Sequence, residues 1–83
     1  MMNMERAALK GQLQDAKKEH NDLDLLAAGQ IIAARGFINP YTEDVTLLET
    51  EKALAQVRAL HETVEKMRTL KTRIKKLEDA LNG

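Results

Sequence analysis

The sequence predicts an all-α protein, a long antiparallel two-helix hairpin of coiled-coil type that self-associates into a helical bundle. Three observations carry this expectation. Leu, Ala, Glu, Lys, Arg and Gln dominate while only Phe37 and Tyr41 are aromatic, the composition of helices that pack through aliphatic seams. Apolar residues recur at helical spacing through two long segments. Between them Gly36 and Asn39-Pro40 bring helix-stopping residues together. The chain reads as one helical-hairpin domain spanning residues 1–83, with a first helix at about 4–35, a turn at about 36–45 and a second helix at about 46–82.

Counting from Leu9, residues Leu13, Ala16, His20, Leu23, Ala27, Ile31 and Ala34 follow at steps of three or four, which is one face of an α-helix. Gly36 is expected to take the left-handed position that ends many helices, with Arg35 at the negative end of the macrodipole. Asn39-Pro40 reinforces the stop, because proline drives the residue before it away from helical geometry.

The second helix has two candidate starts. Thr46-Leu47-Leu48-Glu49 has capping-box form, with Glu43, Asp44 and Glu49 placing negative charge at the N-terminal dipole; Asn39 with Pro40 at the first helical position competes with it. Beyond, Leu54, Val57, Leu60, Val64, Met67, Leu70, Ile74, Leu77 and Leu81 repeat with a mean step of about 3.4 residues, close to the coiled-coil period, so the seam should wind left-handed. Asn82-Gly83 supplies a C-terminal stop. Centring the turn near Pro40 sets Leu13 near Met67, Ala16 near Val64, Leu23 near Val57 and Ala27 near Leu54, and it places His20 across from His61.

Self-association follows from size. A chain of 83 residues supports a single core that seldom contributes more than about 3–5 kcal/mol without reinforcement. With no Cys, neither disulfides nor a thiolate zinc site can supply it. One seam also leaves Leu25, Leu26, Ala28, Ile32, Leu47 and Leu48 uncovered. A homo-oligomer is therefore expected, a homodimeric four-helix bundle first, with a trimer or a different protein partner as alternatives. Its interface would draw on Leu23, Ala27, Ile31, Leu54, Val57, Leu60, Val64, Met67, Leu70, Ile74 and Leu77.

Net charge is zero but unevenly spread. Residues 1–18 hold four bases against two acids and residues 63–83 six against three, so the open end is basic; residues 19–62 hold three bases against eight acids. Rods with opposite ends complement one another in antiparallel array. Arg68, Lys71 and Lys75 line one edge of the apolar stripe and are the candidate nucleic-acid contacts. The favoured reading is that their alkyl stems flank the seam with the charges in water, since the domain is not basic overall and has no interleaved aromatics.

Two further features admit a functional role beside a structural one. His20 and His61 could form a polar layer that sets register, switches with protonation or joins a metal site completed by symmetry; setting register is favoured, and no metal is assigned. Phe37 and Tyr41, with Ile38 in the turn, either plug the bundle end or anchor a partner. Chemistry is not expected: the chain has no Ser, no Cys, no Gly-rich phosphate loop and no paired-His helix motif, so it reads as non-enzymatic and needs no cofactor. The longest nearly apolar run, Leu25 to Ala34, is about half of what a bilayer crossing requires, and Met1-Met2-Asn3-Met4-Glu5-Arg6 lacks the basic and apolar regions of a secretory signal. A cytoplasmic location and no membrane partner are expected.

The run Ile38-Asn39-Pro40-Tyr41-Thr42-Glu43-Asp44-Val45, followed by a Leu- and Glu-rich helix ending Ile74-Lys75-Lys76-Leu77-Glu78, resembles small helical accessory proteins of Mu-like transposable phages and prophages. The resemblance covers the second half of the chain. It implies a phage or prophage protein acting in a bacterial cytoplasm, and it assigns no site residues.

Overall fold

Two long helices lie side by side in the computed structural model, which describes residues 2–82. Helix α1 spans Met2–Phe37, a 3-10 turn spans Val45–Leu47, and helix α2 spans Thr50–Asn82. No strand occurs among the described residues. The hairpin is a rod of 67 × 16 × 14 Å with a radius of gyration of 18.9 Å, against roughly 12 Å for a compact chain of this length. The expected stop at Asn82-Gly83 reaches Gly83, outside the described residues.

The seam follows a strict alternation of three- and four-residue steps. On α1 the inward positions are Leu9, Leu13, Ala16, His20, Leu23, Ala27, Gln30, Ala34 and Phe37; on α2 they are Ala53, Gln56, Leu60, Thr63, Met67, Leu70, Ile74, Leu77 and Leu81, all buried or half-buried. This is a heptad repeat, which keeps one line of contact between two supercoiled helices. The sequence pattern identified the inward face of the open half. In the turn half it did not, because Ile31, Leu54 and Val57 lie one position off the line and are 44%, 51% and 46% exposed.

Register differs from the expectation as well. Ala16 is buried in one cluster with Leu70 and Leu77, against which Leu9, Leu13, Leu23 and Ile74 pack, so Ala16 lies across from Ile74 rather than Val64. That is a shift of nine to ten residues, about 14–15 Å along α2 at a rise of 1.5 Å per residue. Its cause is the connection. Helix α1 continues through Phe37 and α2 begins only at Thr50, which moves the midpoint of the hairpin well past Pro40.

Gly36 does not end α1 as expected. No glycine or other described residue has a positive φ, and Gly36 stays helical so that Phe37 can complete the seam. The break belongs to Asn39-Pro40, where the Asn39 side-chain Oδ1 accepts the Tyr41 N–H at 2.9 Å and the Asn39 carbonyl accepts the Thr42 N–H at 3.2 Å. Asn at the first position and Pro at the second are what such a turn selects. Next, the Asp44 carboxylate caps the 3-10 turn, accepting the Thr46 N–H at 3.0 Å and the Thr46 hydroxyl at 2.6 Å. Thr46 is thereby occupied and does not open α2. Glu49, the other half of the expected capping box, instead pairs with Lys52 at 2.9 Å, while its carbonyl accepts the first helical bond from the Ala53 N–H.

Candidate interaction surface

The two halves of the rod are built differently. In the open half the seam is aliphatic apart from His20, with Leu70 and Leu77 buried and Leu13, Leu23, Met67 and Ile74 half-buried, and the outer surfaces carry Lys, Arg, Glu and Asp. In the turn half the buried positions are Ala27, Ala34, Ala53 and Thr63, accompanied by half-buried Gln30 and Gln56. Apart from half-buried Phe37, Leu48 and Leu60, most of the large apolar side chains there point outward: Leu25 is 74% exposed, Ile32 70% and Tyr41 88%, with Leu26, Ile38, Val45 and Leu47 also exposed.

Helix α1 shows this inversion most sharply. From Leu25 to Ala34 it carries no charge, and its single polar residue, Gln30, faces the seam. The Gln30 Oε1 is buried without a hydrogen-bond partner, a costly arrangement for a carbonyl oxygen. The helix is thus apolar around its whole outer circumference for about three turns. Helices of that kind are normally enclosed.

Several candidate residues change role. Leu70, Leu77 and Ala27 are buried inside the hairpin, and Leu23, Leu60, Val64, Met67 and Ile74 are half-buried in it, so within one chain these residues keep only part of their surface for a second copy. Ile31, Leu54 and Val57 remain accessible. His20 and His61 do not form a layer: His20 is half-buried at a seam position, level with Leu70, whereas His61 is exposed on the flank of α2. Once the register shifts this far, they can no longer meet. Among the described residues no group of three or more His, Cys, Asp or Glu could hold a metal ion.

Phe37 and Tyr41 part company. Phe37 is half-buried at the end of the seam with the Lys52 Nζ 5.9 Å from its ring centroid, a distance suited to a cation–π contact. Tyr41 is exposed and forms one wall of a shallow cleft together with Ile32, Arg35, Gly36, Asn39 and Pro40. Arg68, Lys71 and Lys75 do share one flank of α2, around a groove that also includes Ile74 and Glu78. Arg68 is partly neutralised by Glu65 at 2.7 Å.

Among the described residues no helix is long and apolar enough to cross a membrane. Comparison with protein-family models, curated proteins and solved structures found no match. The surface itself therefore carries the functional reading. Sequence reasoning missed Gln30, Ala53, Gln56 and Thr63 as seam residues; insisting on alternating three- and four-residue steps from the Leu-rich open half would have reached them.

Proposed function

We propose that the chain is a non-enzymatic, self-associating helical hairpin that acts as a protein-interaction module, with its turn half as the contact surface. The observation that carries this is the Leu25–Ala34 segment, whose outward side chains are all apolar. Area supports it. The chain exposes 6813 Å², where a compact monomer of this size exposes roughly 5,000 Å². The excess, on the order of 1,800 Å², falls within what each partner buries in an obligate dimer interface.

On this reading the chain forms a homodimer with four helices and works in the cytoplasm. The likeness of residues 38–45 and 74–78 to Mu-like phage proteins supports an accessory role in a phage or prophage. The test is a solution mass series by light scattering. Twice the chain mass is expected, falling to one chain mass in a Leu25→Glu, Leu54→Glu variant that remains helical by circular dichroism. A single-copy mass across the accessible concentration range would defeat the proposal.

A second reading, a nucleic-acid-associated accessory protein, rests on the shared flank of Arg68, Lys71 and Lys75. It is weakened by Glu78 in the same groove and by the Arg68–Glu65 pair.

A further inference from the structure

We infer that the occupant of the exposed α1 face is α1 of a second copy, packed antiparallel about a two-fold axis centred between Ala28 and Gly29. This inference rests on the self-association proposed above and specifies its geometry. It starts from the outward stripe of α1, on the side away from α2, where Asp22, Leu25, Ala28, Gly29, Ile32 and Arg35 are all exposed. Their spacing is symmetric about the Ala28–Gly29 bond. Asp22 and Arg35 are equidistant from it, as are Leu25 and Ile32.

A two-fold interface needs a patch that complements itself, so that if residue i meets residue j, residue j meets residue i. Reversing this stripe provides that. Leu25 of one copy comes level with Ile32 of the other, Asp22 with Arg35, and Ala28 with Gly29, at both ends of the contact. Charge thus meets opposite charge and aliphatic meets aliphatic. Asp22 and Arg35 form no ion pair within the chain among the described residues.

Gly29 supplies an independent reason. It lies in mid-helix, where glycine is the weakest helix former after proline. Its φ is negative, and a Cβ placed on it would meet nothing within 4 Å. Neither the backbone nor the hairpin's own packing requires a glycine there. At the centre of a helix-to-helix contact it has a use, because a missing side chain lets two axes approach to the short end of the 8–10 Å range.

The contact lies in the turn half of each copy, so the basic open ends project in opposite directions. Two 67 Å rods that overlap about this off-centre point give a particle roughly 80 Å long by the rise per residue. Full-length antiparallel overlap, the arrangement suggested by end charges alone, would bring Ile32 level with Asp15, Lys17 and Lys18 instead of Leu25.

Charge swaps test the geometry. Asp22→Arg and Arg35→Asp each create two like-charge pairs at the proposed interface, and each should weaken self-association at least about tenfold while leaving helicity unchanged, since both residues are exposed. An equimolar mixture of the two variants should regain the dimer mass, because both charged pairs across the two-fold then join a base of one variant to an acid of the other. Gly29→Leu should also dissociate the dimer, and small-angle scattering of the wild type should give the longer particle. If both charge variants dimerise as the wild type does, or the mixture fails to recover, the α1–α1 geometry is wrong although self-association stands. Dissociation by Val57→Glu in that case would place the interface on the Ile31, Leu54 and Val57 flank instead. A monomeric wild type would remove both proposals together.

Discussion

Replacing Gln30 by Met tests the phase of the turn-half seam directly. The structure buries the Gln30 Oε1 with no hydrogen-bond partner and leaves its neighbour Ile31 44% exposed; the apolar pattern of the sequence assigns them the reverse roles. Met and Gln have nearly equal helix propensity, so intrinsic helix stability cancels. What remains is relief of an unsatisfied buried acceptor, which costs about 1–3 kcal/mol. Gln30 as a whole is only half-buried, which places the expected gain at about 1–2 kcal/mol, or roughly 4–16 °C in Tm for a domain of this size. Ile31→Gln should cost less than about 1 kcal/mol in the same protein, since much of that side chain is already in water. The assay is urea and thermal unfolding followed by circular dichroism at matched, dilute protein concentration, because association makes apparent stability depend on concentration. The reasoning fails if Gln30→Met is neutral or harmful while Ile31→Gln costs about 2 kcal/mol or more.

Other expectations follow from the same structure. Leu70→Ala, which empties a buried position beside Ala16 and Leu77, should cost about 2–4 kcal/mol, whereas Leu54→Ala should cost under about 1 kcal/mol at dilutions where the chain is monomeric; equal losses in urea unfolding would return Leu54 to the seam. Hydrogen bonds from the Thr46 hydroxyl and N–H hold the Asp44 carboxyl below its ordinary value of 3.8. A depressed folded-state value means that the carboxylate's contribution is fully present above the unfolded value and is lost as pH falls through the folded one. The protection factor of the Thr46 amide, its exchange rate corrected for the intrinsic pH dependence, should therefore fall below about pH 4 and lose that acid-dependent drop in Asp44→Ala, and an unchanged drop in that variant would show that the cap is not the cause. For the nucleic-acid reading, three phosphate contacts by Arg68, Lys71 and Lys75 predict a log–log salt slope of about −3 on unrelated duplexes; a fluorescence titration showing no binding at low salt would retire it.

Much of the architecture was legible in the residues alone. Two helices, a break at Asn39-Pro40 and an antiparallel hairpin follow from local rules: helical spacing of apolar residues, the geometric restriction imposed by Pro40, and a connection too short for any other return path. The inward face of the open half was legible too, since Leu70, Ile74, Leu77 and Leu81 share one heptad line with no rival. In the turn half two apolar lines compete. One runs through Ile31, Leu54 and Val57, the other through Ala27, Ala34 and Ala53 with Gln30 and Gln56 among them, and hydropathy favours the first.

Tertiary structure decided for the second. The Leu-rich half sets the phase of the heptad, and a helix cannot change phase midway without an insertion that breaks its repeat. Small residues near the turn also let the helices stay close where the chain must reverse. Register, the separation of His20 from His61 and the outward turning of Leu25 and Ile32 all follow from that choice. Composition showed that apolar surface would be left over, but its position depended on how one helix is rotated against the other, a quantity that no residue specifies by itself.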